Sequence, residues 1–548
     1  MNYINRSILT FFCIIFGAQL SAAKDYFFDF NTGSNTNPGT KEQPYKDFKV
    51  IENLSLKGGD KLLFLGETTF KGELVLLNLN GEKDNPIVIS SYGKKGTKAL
   101  IDAKGERNGI SIVNCSYILI DNIEITADGG KSNQPVYGKK PMRCGILVVA
   151  KDQIKHQDIK ISNVVIRDIF YAKKGVTRSK EETHSAMGNQ SYGYGIRYVT
   201  TNIKTGLSNM YIENTTVNNV GHTGIKYSGK KQNINNIKLY SSKVLKSGGP
   251  GIQMSLVKDV HVMGNTVMHS GSNSDSRKWA RGSGLWTWGA DNVLIEKNEF
   301  KHARGPADSA GAHIDFNCSN VILQYNLSVD NAGGFCEILG NNYNCAYRYN
   351  VSINDGFRVK EKGVNPQSGK IFWLSGFVGK NKERNGPFNT YFYNNTIFVK
   401  KGIQANIAID KNAKGALIAN NIFYVEQDMQ RVLGDQYKAE KGGTQNQERM
   451  FCKNNLFLSS TNWPTDLKVQ PTSSIIGDPK FRNSKGMEIA DFTPKNKKLI
   501  SGKGISIEKI IGDDIGLKGG LKMNKDILGN SFKGKPDVGA IQLKNKIN

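Results

Sequence analysis

The sequence lacks the markers of several common protein classes. Its 548 residues include seven cysteines, and no two of them have the spacing of a zinc site. It contains no P-loop, no dinucleotide-binding fingerprint and no nucleophile elbow. After the N-terminus, no apolar run reaches the length of a membrane span. These absences argue against zinc modules, nucleotide-dependent enzymes, α/β-hydrolases and multispan membrane proteins.

Acidic residues are scarce compared with basic ones. The chain has 48 Asp and Glu against 74 Lys and Arg, which gives a formal charge of +26. Such an excess can serve nucleic acid, an anionic polymer, a membrane surface or only a solvated exterior. The basic residues are scattered and form no basic-aromatic stripe, so nucleic acid is not an expected partner.

The N-terminus has the pattern of a secretory signal peptide. A short basic start precedes an apolar run over residues 7–20 and three small residues at 21–23. The pattern predicts a signal peptide over residues 1–23, a secreted or periplasmic protein and no stable membrane insertion. The other six cysteines lie among apolar residues, which favours free buried thiols, although an oxidising compartment also allows a disulfide. They are Cys115, Cys144, Cys318, Cys336, Cys345 and Cys452.

An asparagine recurs between short β-type runs along most of the chain. From Asn265 onward the successive spacings are 33, 28, 24, 45, 26 and 34 residues. Periods of 20 to 50 residues indicate a solenoid, a propeller or an array, and the runs alternate with period two rather than 3.6. We therefore predict an all-β parallel β-helix, in which uneven spacing reflects loop insertions. The recurring residues are Asn163, Asn265, Asn298, Asn326, Asn350, Asn395, Asn421 and Asn455.

Both ends of the mature chain resemble secreted right-handed parallel β-helix proteins. Residues 26–39 (YFFDFNTGSNTNPG) resemble their entry segment, and the runs that start at Asp478, Asp491 and Asp537 resemble their closing segment. The resemblance implies one right-handed parallel β-helix domain over residues 24–548, with a non-repetitive closing segment from about residue 470. Lyases, hydrolases, epimerases, esterases and adhesins share this fold, so it does not define an activity.

One set of strands can be aligned by its apolar residues. Two apolar columns must face the core, so period two turns the column between them outward, with neighbouring coils roughly 4.8 Å apart. We call this outward column the outer strip. Its predicted members are Arg197, Lys226, Gln253, Trp286, Asp315, Glu337 and Trp373.

The predicted outer strip places two carboxylates on adjacent coils. Like charges side by side on a sheet are destabilising, so such a pair indicates function. In a retaining glycosidase, Asp315 would be the nucleophile and Glu337 the acid/base, while Trp286 and Trp373 would stack on sugar rings. No cofactor is expected for this chemistry.

Two segments around this pair resemble a known enzyme group. Residues 311–321 (GAHIDFNCSNV) and 331–340 (NAGGFCEILG) are similar to the catalytic core of parallel-β-helix glycoside hydrolases of the β-xylosidase and α-fucosidase/xylanase type. The resemblance implies an Asp nucleophile and a Glu acid/base about one coil downstream, which Asp315 and Glu337 match.

A second set of residues favours a polysaccharide lyase. Its cations Arg197, Lys226, His222 and Arg304 could neutralise a uronate carboxylate and remove a proton from the sugar. A non-catalytic glycan-binding or adhesin β-helix is a third alternative. In the lyase, calcium would be held by Asp315, Glu337 and Asp308.

In each alternative the expected partner is a polysaccharide or oligosaccharide. Gln253 and His313 are further candidates to bind it, and Arg197 and Lys226 suggest an anionic glycan. Long insertions at residues 171–194 and 271–282 are expected to wall a cleft. Two corner residues that could bind a hydroxyl are Asn341 and Asn342.

Overall fold

Three long sheets of parallel strands wind around one apolar core. The computed structural model describes residues 22–103, 105–129, 142–184, 192–359, 367–432, 448–532 and 534–543. Most of the predicted signal peptide lies outside these ranges. No helix within them has the length and apolarity to cross a bilayer.

The sheets contain 15, 12 and 14 strands, and we name them by these numbers. The 15-stranded sheet comprises Asp25–Phe28, Lys61–Leu65, Ile87–Tyr92, Ile118–Asp121, Lys155–Ser162, Gly206–Glu213, Ile234–Tyr240, Val257–Met263, Asp291–Glu296, Ser319–Gln324, Ala346–Arg348, Phe388–Tyr393, Lys414–Ala419, Glu448–Lys453 and Pro471–Thr472. The 12-stranded sheet comprises Leu74–Leu77, Asn108–Val113, Arg143–Ala150, Gly193–Thr200, Ile225–Ser228, Ile252–Ser255, Leu285–Trp288, Ala312–Ile314, Gly334–Ile338, Lys370–Leu374, Asn406–Ile409 and Gln430–Arg431. The 14-stranded sheet comprises Thr69–Lys71, Ala99–Asp102, Ile123–Asp128, Val165–Phe170, Thr216–Val220, Lys243–Ser247, Thr266–Met268, Glu299–Lys301, Leu327–Val329, Val351–Ile353, Thr396–Val399, Ile422–Val425, Leu456–Phe457 and Ile475–Ile476.

The chain visits the three sheets in turn and returns to each one a coil later. For example, Gly193–Thr200 pairs in parallel with Arg143–Ala150 on one side and with Ile225–Ser228 on the other. This topology confirms the predicted right-handed parallel β-helix. The short helices are Phe48–Asn53 and Ile489–Phe492, both 3-10, and the α-helices Lys180–His184 and Lys497–Ile500.

Alternation within each strand builds the core. Inward positions of successive coils stack into columns, such as Ile196, Ile225 and Ile252 of the 12-stranded sheet, which are fully buried. Two residues further along the same strands, the rings of Tyr198 and Tyr227 stack with their centroids 4.7 Å apart. All six cysteines after the predicted signal peptide are buried and free, which confirms the favoured interpretation.

The predicted asparagines form a hydrogen-bonded ladder inside one corner of the solenoid. Each side-chain amide from Asn265 to Asn421 donates to the Oδ1 of the asparagine one coil further on, at 2.9–3.0 Å. Asn163 is not part of the ladder. It is exposed, has a φ of 55° and lies one residue before the ladder position of its coil. The ladder comprises Asn265, Asn298, Asn326, Asn350, Asn395, Asn421 and Asn455.

The residues after Ile476, here the closing segment, run back along the outside of the solenoid. Apolar side chains of this segment, among them Phe492 and Val538, pack on the outer face of the 14-stranded sheet. Others, such as Leu517, pack on the 15-stranded sheet, where Tyr325 donates its hydroxyl proton to the Lys525 carbonyl at 2.6 Å. The domain bounds at residues 24 and about 470 stay a prediction.

We expect removal of one ladder amide to destabilise the fold. In Asn326→Ala, the backbone N–H and the side-chain amide of Asn298 lose their acceptor, and the Ile295 carbonyl loses a donor. All of these bonds are buried. Buried unsatisfied polar groups of this kind should lower the free energy of unfolding by about 3 kcal/mol. Denaturant unfolding of the variant measures this loss. Asn235→Ala, at a half-exposed strand position, is the control, and equal losses in the two variants would contradict a role for the ladder.

Candidate functional site

Strand pairing shows which side chains share the outer strip. Arg197 pairs with Lys226, Lys226 with Gln253, and Gln253 with Trp286. Trp286 then pairs with His313, and Glu337 with Trp373. Because Ile314 pairs with Ile338, His313 and Glu337 occupy adjacent places. The observed outer strip is therefore Arg197, Lys226, Gln253, Trp286, His313, Glu337 and Trp373.

The predicted alignment is wrong by two residues at one strand. His313 takes the place expected for Asp315, and Asp315 follows the end of Ala312–Ile314. Small Ala312 fills the inward position that we assigned to Ile314. A shift by two residues keeps the inward and outward alternation, so the apolar pattern could not reveal it. Glu337 thus stacks against a histidine, and Asp315 lies diagonally across from it.

The shift also brings an aromatic row to the outside of the sheet. Phe316, which the alignment placed in the core, is half-buried and packs edge-to-face on Trp288 and Phe377 with ring centroids 5.9 and 5.7 Å away. Trp288 is two residues beyond Trp286, so both indoles lie on the same face of their strand. This row next to Asp315 was missed from the sequence, although the alternation Trp–Thr–Trp was a signal for it.

Glu337 is a buried acidic side chain with basic and acidic groups nearby. Only 7% of the surface of Glu337 is exposed to solvent. Burial raises the pKa of the Glu337 carboxyl, and the nearby charge of Asp308 raises it too, while His313, Lys370 and Arg358 act in the opposite direction. A raised pKa favours the protonated form of this carboxyl, which is the form that a proton donor needs.

Asp315 has a similar environment. Burial raises the pKa of its carboxyl to about 7, and the charges of Glu337 and Asp308 add to this effect. The imidazole of His313 and a 2.9 Å hydrogen bond from the Phe316 N–H to Oδ1 favour the ionised form instead. The pKa values of Asp315 and Glu337 thus both respond to the charge of Asp308, which groups the three residues electrostatically.

Asp308 is held by arginines that sequence reasoning missed. Arg281 contacts both of its carboxylate oxygens, at 3.1 and 3.2 Å, and its backbone carbonyl accepts a hydrogen bond from Arg358 at 3.1 Å. Arg281 belongs to the insertion at residues 271–282, and Arg358 lies between two strands, so no periodic signal marks either one. Among the described residues, no group of three or more His, Cys, Asp or Glu side chains is placed to hold a metal ion.

Aromatic rings follow the outer strip on both sides of the carboxyls. The rings of Trp286 and His313 stack with centroids 5.7 Å apart and planes 23° apart, and Ser283 Oγ lies 2.9 Å from Nδ1 of His313. On the next coil after Glu337, the Lys370 ammonium lies 4.0 Å from the centre of the Trp373 ring. Flat rings beside acidic groups suit a sugar, which has an apolar face and polar edges.

The other end of the outer strip is cationic and aromatic. Lys226 and Arg197 lie 5.6 and 4.8 Å from the centre of the Tyr194 ring. Next to them His222 is buried and stacks on Trp279 with centroids 4.4 Å apart, and burial lowers the pKa of its imidazole. Trp279 belongs to the 271–282 insertion.

The two predicted insertions meet at this end. Trp279 donates its indole N–H to the Glu182 carbonyl at 3.2 Å, and Ser276 Oγ donates to the Val176 carbonyl at 2.9 Å. Residues from both segments therefore stand beside the cationic end of the outer strip.

Three other candidates have local partners. Arg304 is paired with Asp330 at 2.7 Å, so its charge is compensated. Asn341 donates to the Asn317 side chain at 2.8 Å, and buried Asn342 donates to the Asp315 carbonyl at 3.0 Å. These contacts are those of corner asparagines that fix the turn after Asp315.

We expect the charge on Lys226 to cost stability in a pH-dependent way. Burial lowers the pKa of its ammonium from 10.5 to about 7 in the folded chain. Between these values the unfolded chain retains a proton that the folded chain has lost, so the stability of the wild type rises with pH over this range. At pH 6, Lys226→Met should melt at a higher temperature than the wild type, and the difference should shrink towards pH 9.

Melting curves over this pH range in low-salt buffer measure the difference. Lys243→Met removes an exposed lysine of the 14-stranded sheet and should show no such trend. A Lys226→Met variant that is less stable than the wild type at pH 6 would contradict the expectation.

Comparisons with known proteins agree with this picture. No family model matches the chain. A lacto-N-biosidase from Bifidobacterium longum subsp. longum is 22% identical, over 95% of this chain and 36% of that protein. The chain thus spans about a third of the length of this relative.

Solved structures show the same architecture. The GH136 lacto-N-biosidase from Eubacterium ramulus has a TM-score of 0.51 at 20% identity, over 72% of this chain and 67% of that one. XylC, solved in complex with xylose, has a TM-score of 0.52 at 11% identity, over 95% and 99%. The predicted resemblance is confirmed: the chain is a right-handed parallel β-helix similar to carbohydrate-active proteins of this architecture, lacto-N-biosidases among them.

Proposed function

We propose that the protein is a glycoside hydrolase that cleaves an oligosaccharide bound along the outer strip. The observation that carries this proposal is the grouping of Asp308, Asp315 and Glu337 beside the rings of Trp286 and Trp373. Burial raises the pKa of Asp315 to about 7 and also raises the pKa of Glu337, and the half-buried ring of Trp286 offers a flat surface for a sugar. The likeness to lacto-N-biosidases supports the same reaction class.

The chemistry that we propose is retaining hydrolysis with two carboxyls. The Asp315 carboxylate attacks the anomeric carbon while Glu337 gives its proton to the departing glycosidic oxygen, which leaves a glycosyl ester on Asp315. The Glu337 carboxylate then takes a proton from water, whose oxygen attacks the same carbon and frees Asp315. The sugar leaves with its original anomeric configuration.

Neighbouring groups tune the two protons. His313 lies next to Glu337 on the outer strip and favours the ionised form of both carboxyls. Asp308, which Arg281 holds, favours their protonated form. Because the pKa values of both carboxyls are raised, the acid and the nucleophile are distinguished by the configuration of the azide product in the variants.

One observation favours a lyase as the second candidate. Burial lowers the pKa of Lys226 to about 7, which suits a lysine base. Lys226 is, however, four coils from Glu337, roughly 19 Å by strand spacing, so the two cannot act on one sugar ring. A lyase would release products with a C4–C5 double bond that absorb in the far ultraviolet, and a calcium chelator would inhibit it.

Export of the protein, directed by the predicted signal peptide at residues 1–23, is also part of the proposal.

We expect Asp315→Asn and Glu337→Gln to lower turnover by about 10²-fold or more, the usual contribution of a group that transfers a proton or forms a covalent intermediate. Turnover of activated aryl glycosides at pH 6 measures this loss. Azide should rescue Glu337→Gln with a glycosyl azide of retained configuration, and Asp315→Asn with one of inverted configuration. Glu448→Gln, the same kind of change at an exposed residue of the 15-stranded sheet, is a control that should retain activity. Full activity in either site variant would contradict the assignment.

We expect Asp308→Asn to move the pH profile without abolishing turnover. The charge of Asp308 raises the pKa of both other carboxyls, so its removal lowers these pKa values. The alkaline limb of kcat/KM, where the acid loses its proton, should then shift to lower pH. The pH dependence of kcat/KM for both proteins measures the shift. Loss of turnover as complete as in Asp315→Asn would instead show that Asp308 is one of the two reacting carboxyls.

A further inference from the structure

We propose that Arg197 and Lys226 form a subsite for an acidic group of the glycan, a carboxylate or a sulfate, several sugar units away from the bond that is cleaved. This inference rests on the proposed function, because it names the class of substrate that the same outer strip binds. Four observations support it: burial of the cations, absence of a counter-charge, the aromatic walls and the position on the outer strip.

The two cations lie on adjacent strands and are withdrawn from water. Lys226 is 9% exposed and Arg197 is half-buried. Among the described residues, the Arg197 side chain makes one hydrogen bond, from Nη1 to the Met142 sulfur at 2.8 Å, and its buried Nε has no partner. A thioether is a weak acceptor, so the guanidinium is poorly compensated.

No side chain of the described structure pairs with these two charges. The neighbouring ionisable groups Cys144 and Tyr194 are neutral, because burial raises both of their pKa values to about 12. Glu73 is engaged by Ser111 at 2.6 Å and by Asn108 at 3.2 Å. Residues 130–141 and 185–191, which adjoin Met142 and Tyr192 in sequence, contain no Asp or Glu.

Adjacent buried cations without a counter-charge are unfavourable in a protein interior. They repel one another and lose hydration, and contacts with the Tyr194 ring and the Met142 sulfur replace no negative charge. A bound anion would remove this cost. The geometry is therefore that of a site completed by its ligand, rather than of an internal ion pair.

Aromatic rings line the site. Both cations lie over the face of Tyr194, at distances typical of cation–π contacts. His222, stacked on Trp279, has a buried Nε2 with no partner among the described residues, and burial keeps its ring neutral. This nitrogen can donate or accept one further hydrogen bond. Rings, cations and a free ring nitrogen together suit an acidic sugar.

The position on the outer strip makes the site part of an extended binding surface. Gln253, Trp286 and His313 lie between Lys226 and Glu337 on successive coils. The spacing of roughly 4.8 Å per coil places the acidic group about 19 Å from Glu337. A chain of several sugars that lies across the coils would reach both places.

The test measures anion binding by the full mature chain. We would titrate sodium sulfate, sodium glucuronate and glucose, each at constant ionic strength set with sodium chloride, and record melting temperature and binding heat. The wild type should bind glucuronate, sulfate or both. Its response to glucose should be no larger than that of the double variant Arg197→Met/Lys226→Met. Arg197→Met/Lys226→Met should bind the acidic probe at least tenfold more weakly. Lys243→Met is the matched control and should bind like the wild type.

Each outcome decides the proposal. Equal responses of the wild type and the double variant, or no response of the wild type to either anion, would overturn it. A response to glucuronate without sulfate assigns a carboxylate, and the reverse assigns a sulfate. The proposed hydrolysis is judged separately, by release of aryl alcohol from neutral activated glycosides. Anion binding without any such release would refute the hydrolase and leave the subsite, while release without anion binding would refute the subsite alone.

Discussion

Hydrogen bonds between equivalent residues of successive coils determine the geometry of this molecule. Every turn of a solenoid brings polar groups into a corner that water does not reach, and the asparagine ladder from Asn265 to Asn455 satisfies them. Each asparagine also places its coil directly above the previous one. The ladder spans the coils that carry Trp286, His313, Glu337 and Trp373, so it helps to hold this part of the outer strip in register. The candidate site is thus defined by a repetitive scaffold and varies only through the side chains that it displays.

The outer strip has an uneven distribution of charge that matches the two proposed roles. Cations collect at one end around Lys226, and carboxyls collect at the other end around Glu337. Burial acts on both ends and shifts their pKa values in opposite directions, towards neutrality. The carboxyl end is thereby suited to proton transfer, whereas no acidic side chain in the described part of the chain pairs with the cations at the other end. Only a small part of the formal charge of +26 has such a role, and exposed lysines such as Lys243 carry much of the rest.

The fold could be predicted because its signals are local and repeated. Asparagine spacing and period-two alternation recur in each coil, so one misread coil does not change the result. The site depended on single strands, and there the same alternation was insufficient, since a shift of two residues preserves it and exchanges His313 for Asp315. Arg281 and Arg358 reach Asp308 from an insertion and a connection. The positions of these two arginines beside Asp308 depend on tertiary packing, which no periodic pattern in the sequence indicates.

The closing segment affects how the whole molecule can unfold. In a solenoid each coil contacts mainly its neighbours, so a chain of coils can open piece by piece from an end. Here the described part of residues 477–543 returns over coils that it does not adjoin in sequence, with Tyr325 bonded to Lys525 and Asn454 to Lys503. These contacts tie coils that are four steps apart along the axis to the closing segment. Opening any coil beneath the closing segment must also loosen that segment. These coils, including those that carry the carboxyls, should therefore open together as one cooperative unit.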